Sequence, residues 1–206
     1  MNHQIVNPEF DARHMSDVSV EAAETYVRAA QRRMKDNRAA GMASLDDMFR
    51  SGRPPQSLDG RYRGELLAVD IAPGITHYVE YVQNKFHPWI GKTFDRSASR
   101  GDNIFNNQAG PWFRVLLPSY HGRRTDTATT FRAFTFCTYV APALSADDVP
   151  ALKIDYELPD NPALSIRRVL DELVELADGY YLGRAWVRWR GSWRRVAYFS
   201  LRLNNK

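Results

Sequence analysis

Apolar positions recur at helical spacing in the N-terminal quarter of the chain, and mostly at every second residue beyond it. Ser19 is placed to cap a helix running to about Arg38, with Val20, Ala23, Tyr26, Val27, Ala30 and Met34 on one face and charged residues on the other. Gly41 reads as its stop. Ser44-Leu45-Asp46-Asp47 reads as the capping-box start of a short helix to Arg50, which Gly52 and then Pro54-Pro55 bring to an end. From Leu58 the period becomes two, with Tyr62, Gly64, Leu66 and Ala68 alternating with Arg61, Arg63, Glu65 and Leu67. Ile75, Tyr78, Val79, Val82 and Phe86 return to helical spacing, so a helix is expected over 75–86, closed by Pro88.

The rest predicts strands near 91–96, 102–107, 112–117, 128–141, 151–157, 179–190 and 193–203. One further helix is expected from an Asn161 cap and Pro162 to an exit at Asp178-Gly179, with Ile166, Val169, Leu170 and Leu173 as its buried stripe. Gly191-Ser192 suits a two-residue type II′ turn, which sets Val187 opposite Val196, Ala185 opposite Tyr198 and Arg188 opposite Arg195. The stretch 118–127 reads as an exposed loop. These elements predict a mainly β, α+β fold: an antiparallel β-barrel of about eight strands with N-terminal and flanking helices. Residues 1–16 show no periodicity and are expected to be disordered, leaving 17–206 as a single barrel domain with a helical N-terminal extension.

Composition narrows the classes. In 206 residues the lone Cys137 cannot form an internal disulfide, which excludes a disulfide-stapled secreted domain. There is no apolar run long enough for a membrane-spanning helix and no apolar stretch of a secretory signal, so a cytoplasmic protein is expected. The net charge of +4 is concentrated after Asp178, in Arg184, Arg188, Arg190, Arg194, Arg195, Arg202 and Lys206. Such a hairpin can attract anions, nucleic acid or a membrane surface. Trp186, Trp189 and Trp193 interleave with its arginines, as in single-strand binders, but alternating Trp and Arg also serve as packing with Arg stems laid over rings. Nucleic acid is the less favoured partner on that ground.

Gly91-Lys92-Thr93 is not the end of a phosphate-binding loop, because the loop needs a glycine where Phe86 stands. His3, His14, His77, His87 and His121 make no metal-ligand spacing, so neither a metal nor another cofactor is expected. No serine sits in a nucleophile elbow, and Cys137, mid-strand among Phe and Thr, reads as a buried, inert thiol.

Gly60-x-Tyr62-x-Gly64, followed by Trp89-x-Gly91-Lys92-x-Phe94, resembles the GXWXG domain and its adjoining domain of unknown function over roughly residues 46–108. The resemblance implies a calycin-like barrel, similar to lipocalins and fatty-acid-binding proteins, with an interior suited to a small apolar or amphipathic molecule. It carries over no catalytic residue. Tyr62, Trp89, Phe94, Tyr139 and Tyr198 are the expected cavity lining and Lys92 the orienting cation, with Asp95, Asp102 and Asn103 as further polar groups at the rim. Two alternatives stay open: a metal-independent isomerase or cyclase using the same cavity, with an acid–base pair drawn from Asp70, Asp95, Asp102, Tyr62 or His77, and an interaction module built on the Arg/Trp-rich hairpin.

Overall fold

A computed structural model describes residues 18–70 and 88–204. Helix α1 spans Val20–Asp36 and α2 spans Arg38–Ser51. Ser19 caps α1, its Oγ accepting from the Ala22 N–H at 3.2 Å. Gly41 does not stop a helix; it lies inside α2, which begins after the Asn37 cap. A methyl group at Gly41 would sit 2.2 Å from the Met34 side chain, so the missing side chain is what lets the two helices close together. The expected helix over 75–86 lies outside the described residues, as does the N-terminal segment.

The strands are β1 (Gly60–Val69), β2 (Trp89–Asp95), β3 (Arg100–Asn106), β4 (Arg124–Thr125), β5 (Thr130–Ala143), β6 (Ala146–Asp155), β7 (Val169–Ala177), β8 (Tyr180–Trp189) and β9 (Ser192–Leu203). Every pairing is antiparallel, and the β3–β5 pair closes eight of them into a barrel, while the two-residue β4 only edges β5. The barrel expected from the patterning is therefore present, with three α-helices among the described residues. None of those helices is long and apolar enough to cross a membrane.

Two elements differ from the sequence reading. The expected helix after Asn161 is strand β7, preceded by a single 3-10 turn at Ile166–Arg168. Eight of its nine residues are buried, because its inner face looks into the barrel and its outer face lies under α1 and α2. A strand covered on both sides shows no alternation, and its spacing then mimics a helix. Asp178-Gly179 is a hairpin turn with Gly179 at φ +82°, and Asn161 caps nothing: its Nδ2 donates to Thr135 O at 2.7 Å and Tyr156 O at 2.9 Å. The expected strand at 112–117 is helix α3 (Gly110–Leu116), with Pro111 in its first turn.

The last hairpin turns on Arg190-Gly191, at φ +50° and +83°, one residue earlier than expected. Both values are positive, as a type I′ turn requires. Arg188 then faces Trp193, and Arg195 faces Trp186, so no like-charged pair forms; a bulge near Ala185 sets Ala185 opposite Ala197.

The core divides by sheet face. Inside the barrel, Tyr62, Phe94, Phe136, Ile154, Leu173, Tyr181 and Leu201 pack around one another. Outside, Val27, Leu45, Met48 and Phe49 of the helices cover Val174, Leu182 and Tyr198.

Candidate functional site

One inward row crosses the barrel wall as Ile154, Asp171, Ala185 and Ala197, in register over β6 to β9. Across the interior, Lys92 of β2 stands opposite Asn103 of β3. These residues meet in a buried polar cluster. Lys92 is 2% exposed, and its Nζ donates to Asp171 Oδ2 at 2.9 Å, Asn103 Oδ1 at 2.8 Å and the Tyr156 hydroxyl at 2.5 Å. Tyr156 donates in turn to Asp171 Oδ2 at 3.0 Å. Asn103 Oδ1 also accepts from Trp89 Nε1 at 3.0 Å, and its Nδ2 donates to Tyr156 at 3.0 Å and to Phe134 O at 3.3 Å.

The cluster forms one end of a cavity of about 250 Å³ whose other walls are apolar, among them Leu66, Phe105, Val169, Ala185 and Ala197. Four rings, those of Trp89, Phe136, Tyr156 and Phe199, surround the Lys92 ammonium at 5.2 to 5.6 Å from their centroids. Burial lowers the Lys92 pKa, and Asp171 opposes that shift. Burial, reinforced by the Asp171 carboxylate, raises the Tyr156 pKa well above the ordinary phenol value, so its hydroxyl stays protonated at neutral pH.

The motif residues explain how the site is held. A methyl group at Gly64 would sit 2.4 Å from the Trp89 indole, and one at Gly91 would sit 2.0 Å from Tyr62 O. The two glycines therefore admit the indole and the neighbouring backbone at the distances this geometry needs. Phe134 is a bulky residue at φ +56°, where the pairing of β3 with β5 shifts register. The twist hands its N–H to the Tyr120 hydroxyl at 2.6 Å and turns its carbonyl onto Asn103.

Of the expected lining residues, Trp89 and Lys92 border the cavity. Tyr62 and Phe94 lie inside the barrel but in the solid apolar core, edge to face at 5.4 Å. Tyr139 and Tyr198 are on the outer surface of the barrel wall, the first 45% exposed and the second buried against Asp46 of α2. Asn103 joins Lys92 as a polar group. Asp102 faces outward to Arg124 at 2.6 Å, and Asp95 and Asp70 are exposed; His77 is outside the described residues. Cys137 is half-buried, with its pKa raised by that burial. The sequence reading missed Tyr156 and Asp171. The available signal was a pair of acids, Asp171-Glu172, within an apolar run: in a strand they must point to opposite faces, and each then needs a buried partner.

A larger groove of about 850 Å³ lies outside the barrel, between β2, β3 and the segments at 119–122 and 158–161. Its charges neutralise one another, Asp102 taking Arg124 at 2.6 Å and Arg132 at 3.8 Å. Among the described residues no group of three or more His, Cys, Asp or Glu is placed to hold a metal ion.

No family model matches the chain, and no curated protein matches it. A solved crystal structure of a protein from Thermomonospora curvata is similar over 85% of this chain and 99% of that one, at 14% identity and a TM-score of 0.47.

Proposed function

We propose that the protein binds a small, mainly apolar molecule in the barrel cavity, with the Lys92 cluster orienting its polar end. The observation that carries this reading is the convergence of a few buried polar groups on one end of an otherwise apolar space, the usual form of a small-molecule site. Benzene fills a cavity of about 150 Å³, so the space here suits a molecule of about ten carbon atoms. The reading keeps the kinship to GXWXG and calycin-like barrels, and a cytoplasmic setting, as parts of the proposal.

The test is native mass spectrometry of the protein purified from its own host. A retained small molecule is expected on the parent protein and not on Ala185→Leu, which fills the cavity from its wall. Bare protein mass in both, together with no binding of any ten-carbon aromatic, would remove the reading.

A metal-independent isomerase or cyclase is the second reading. It is favoured by one feature, a carboxylate in an apolar cavity with an oxygen left unbonded, which is the position of a general base. Recovery of the retained molecule unchanged after prolonged incubation would count against it. The hairpin reading has less support. Arg184 and Arg195 are held by Asp46, Trp186 by Glu172 and Arg188 by Glu157, which leaves Arg190 and Arg194 with Trp189 and Trp193 for any partner.

A further inference from the structure

We infer that the molecule bound in the cavity presents a neutral hydrogen-bond donor, a hydroxyl or an uncharged N–H, to Asp171 Oδ1. The inference rests on the cavity reading and follows from a count of bonding capacity. Lys92 has three N–H donors, and they go to Asp171, Asn103 and Tyr156. Asn103 has two, which go to Tyr156 and Phe134 O. The Trp89 N–H goes to Asn103, and the Tyr156 O–H to Asp171. No donor in the cluster is left over.

The acceptors are filled almost as completely. Asn103 Oδ1 takes Lys92 and Trp89, the Tyr156 oxygen takes Lys92 and Asn103, and Asp171 Oδ2 takes Lys92 and Tyr156. Asp171 Oδ1 takes nothing from the described residues, although Asp171 is only 5% exposed and lines the cavity. Asp171 Oδ1 opens onto the cavity, where an acceptor with no partner from the described residues favours a ligand that brings a donor.

Charge sets the second half of the inference. Lys92 and Asp171 already balance at 2.9 Å in a water-poor space. A carboxylate or phosphate would meet no free donor and the like charge of Asp171, and an ammonium would add an uncompensated positive charge beside Lys92. Lys92 is thus the partner that holds Asp171 in place, and the orienting role expected of the Lys92 cation passes to the Asp171 carboxylate.

Three probes of nearly equal size separate the possibilities: naphthol, methylnaphthalene and naphthoate, substituted at the same ring position. Calorimetric titration of the whole protein at neutral pH is expected to rank naphthol at least tenfold tighter than methylnaphthalene, with naphthoate weakest. Ala185→Leu should weaken all three. Methylnaphthalene binding as tightly as naphthol, or naphthoate binding most tightly, would overturn the donor inference and leave the cavity reading standing. Absence of binding by every probe would take down the cavity reading and the inference with it.

Discussion

Asp171 and Glu172 are consecutive residues of one strand, both acidic and both buried, yet their surroundings differ in kind. Glu172 faces outward beneath α2 and has all its capacity spent. Its Oε1 accepts from Lys153 at 2.5 Å and the Leu144 N–H at 2.6 Å, and its Oε2 from Arg184 at 2.9 Å and Trp186 Nε1 at 2.8 Å. Arg184 lies with its guanidinium 3.6 Å from the Phe49 ring centroid and, like Arg195, reaches Asp46 of α2. This outer network clamps helix to barrel. Asp171 faces inward to a cavity with one oxygen unbonded. Both oxygens of Glu172 are filled, although Arg184 Nε and Arg195 Nε of the same network have no partner; the unfilled acceptor, Asp171 Oδ1, is the one that faces a cavity.

The contrast breaks most sharply at Glu172. Glu172→Gln leaves Lys153 buried without its counter-charge and Arg184, which cannot shed its proton, with only Asp46 at 3.4 Å, so a loss of about 3–5 kcal/mol is expected in urea unfolding. A loss near zero would mean that the outer cluster is not what holds α2.

Asp171→Asn strands only Lys92, which can become neutral, so a smaller loss of about 1–3 kcal/mol is expected at neutral pH. The sign of its pH dependence is fixed. The folded Lys92 pKa already lies below the ordinary lysine value because of burial, and losing Asp171 removes the opposing cause. Between that folded value and the unfolded one the unfolded chain binds more protons, so stability rises with pH there. The deficit of Asp171→Asn relative to the parent should therefore shrink as pH rises, whereas that of Glu172→Gln should persist. Parallel stability curves for the two variants would erase the distinction.

The smallest effect belongs to the hairpin tip. Arg188 pairs with Glu157 at 3.5 Å with both side chains about half exposed, and lies 5.9 Å from the Trp193 ring. Arg188→Ala should change stability by no more than about 0.5 kcal/mol. A larger loss would show that the tip belongs to the clamp.

The barrel was legible in the sequence because most strands carry period-two patterning, and the turn residues and helix caps are local chemistry. Tyr62, Trp89 and Lys92 could be singled out from their phrase, and Asn103 from its place in the next strand. What could not be read was anything that depends on both faces of a strand being covered. β7 looked helical because α1 and α2 bury its outer face while the barrel buries its inner one. The same ambiguity hid Asp171, since an acid assigned to a helix surface needs no partner.

By itself the sequence determined strand-forming segments, capped helices and the glycines that make room for Trp89 and the Tyr62 carbonyl, because those depend on neighbours a few residues away or on side-chain size alone. The tertiary structure decided which face each charge occupies and whom it meets. Lys92 and Asp171 are brought within 2.9 Å across 79 residues of chain, and barrel closure, which turns side chains of separate strands onto one interior, is what sets that distance.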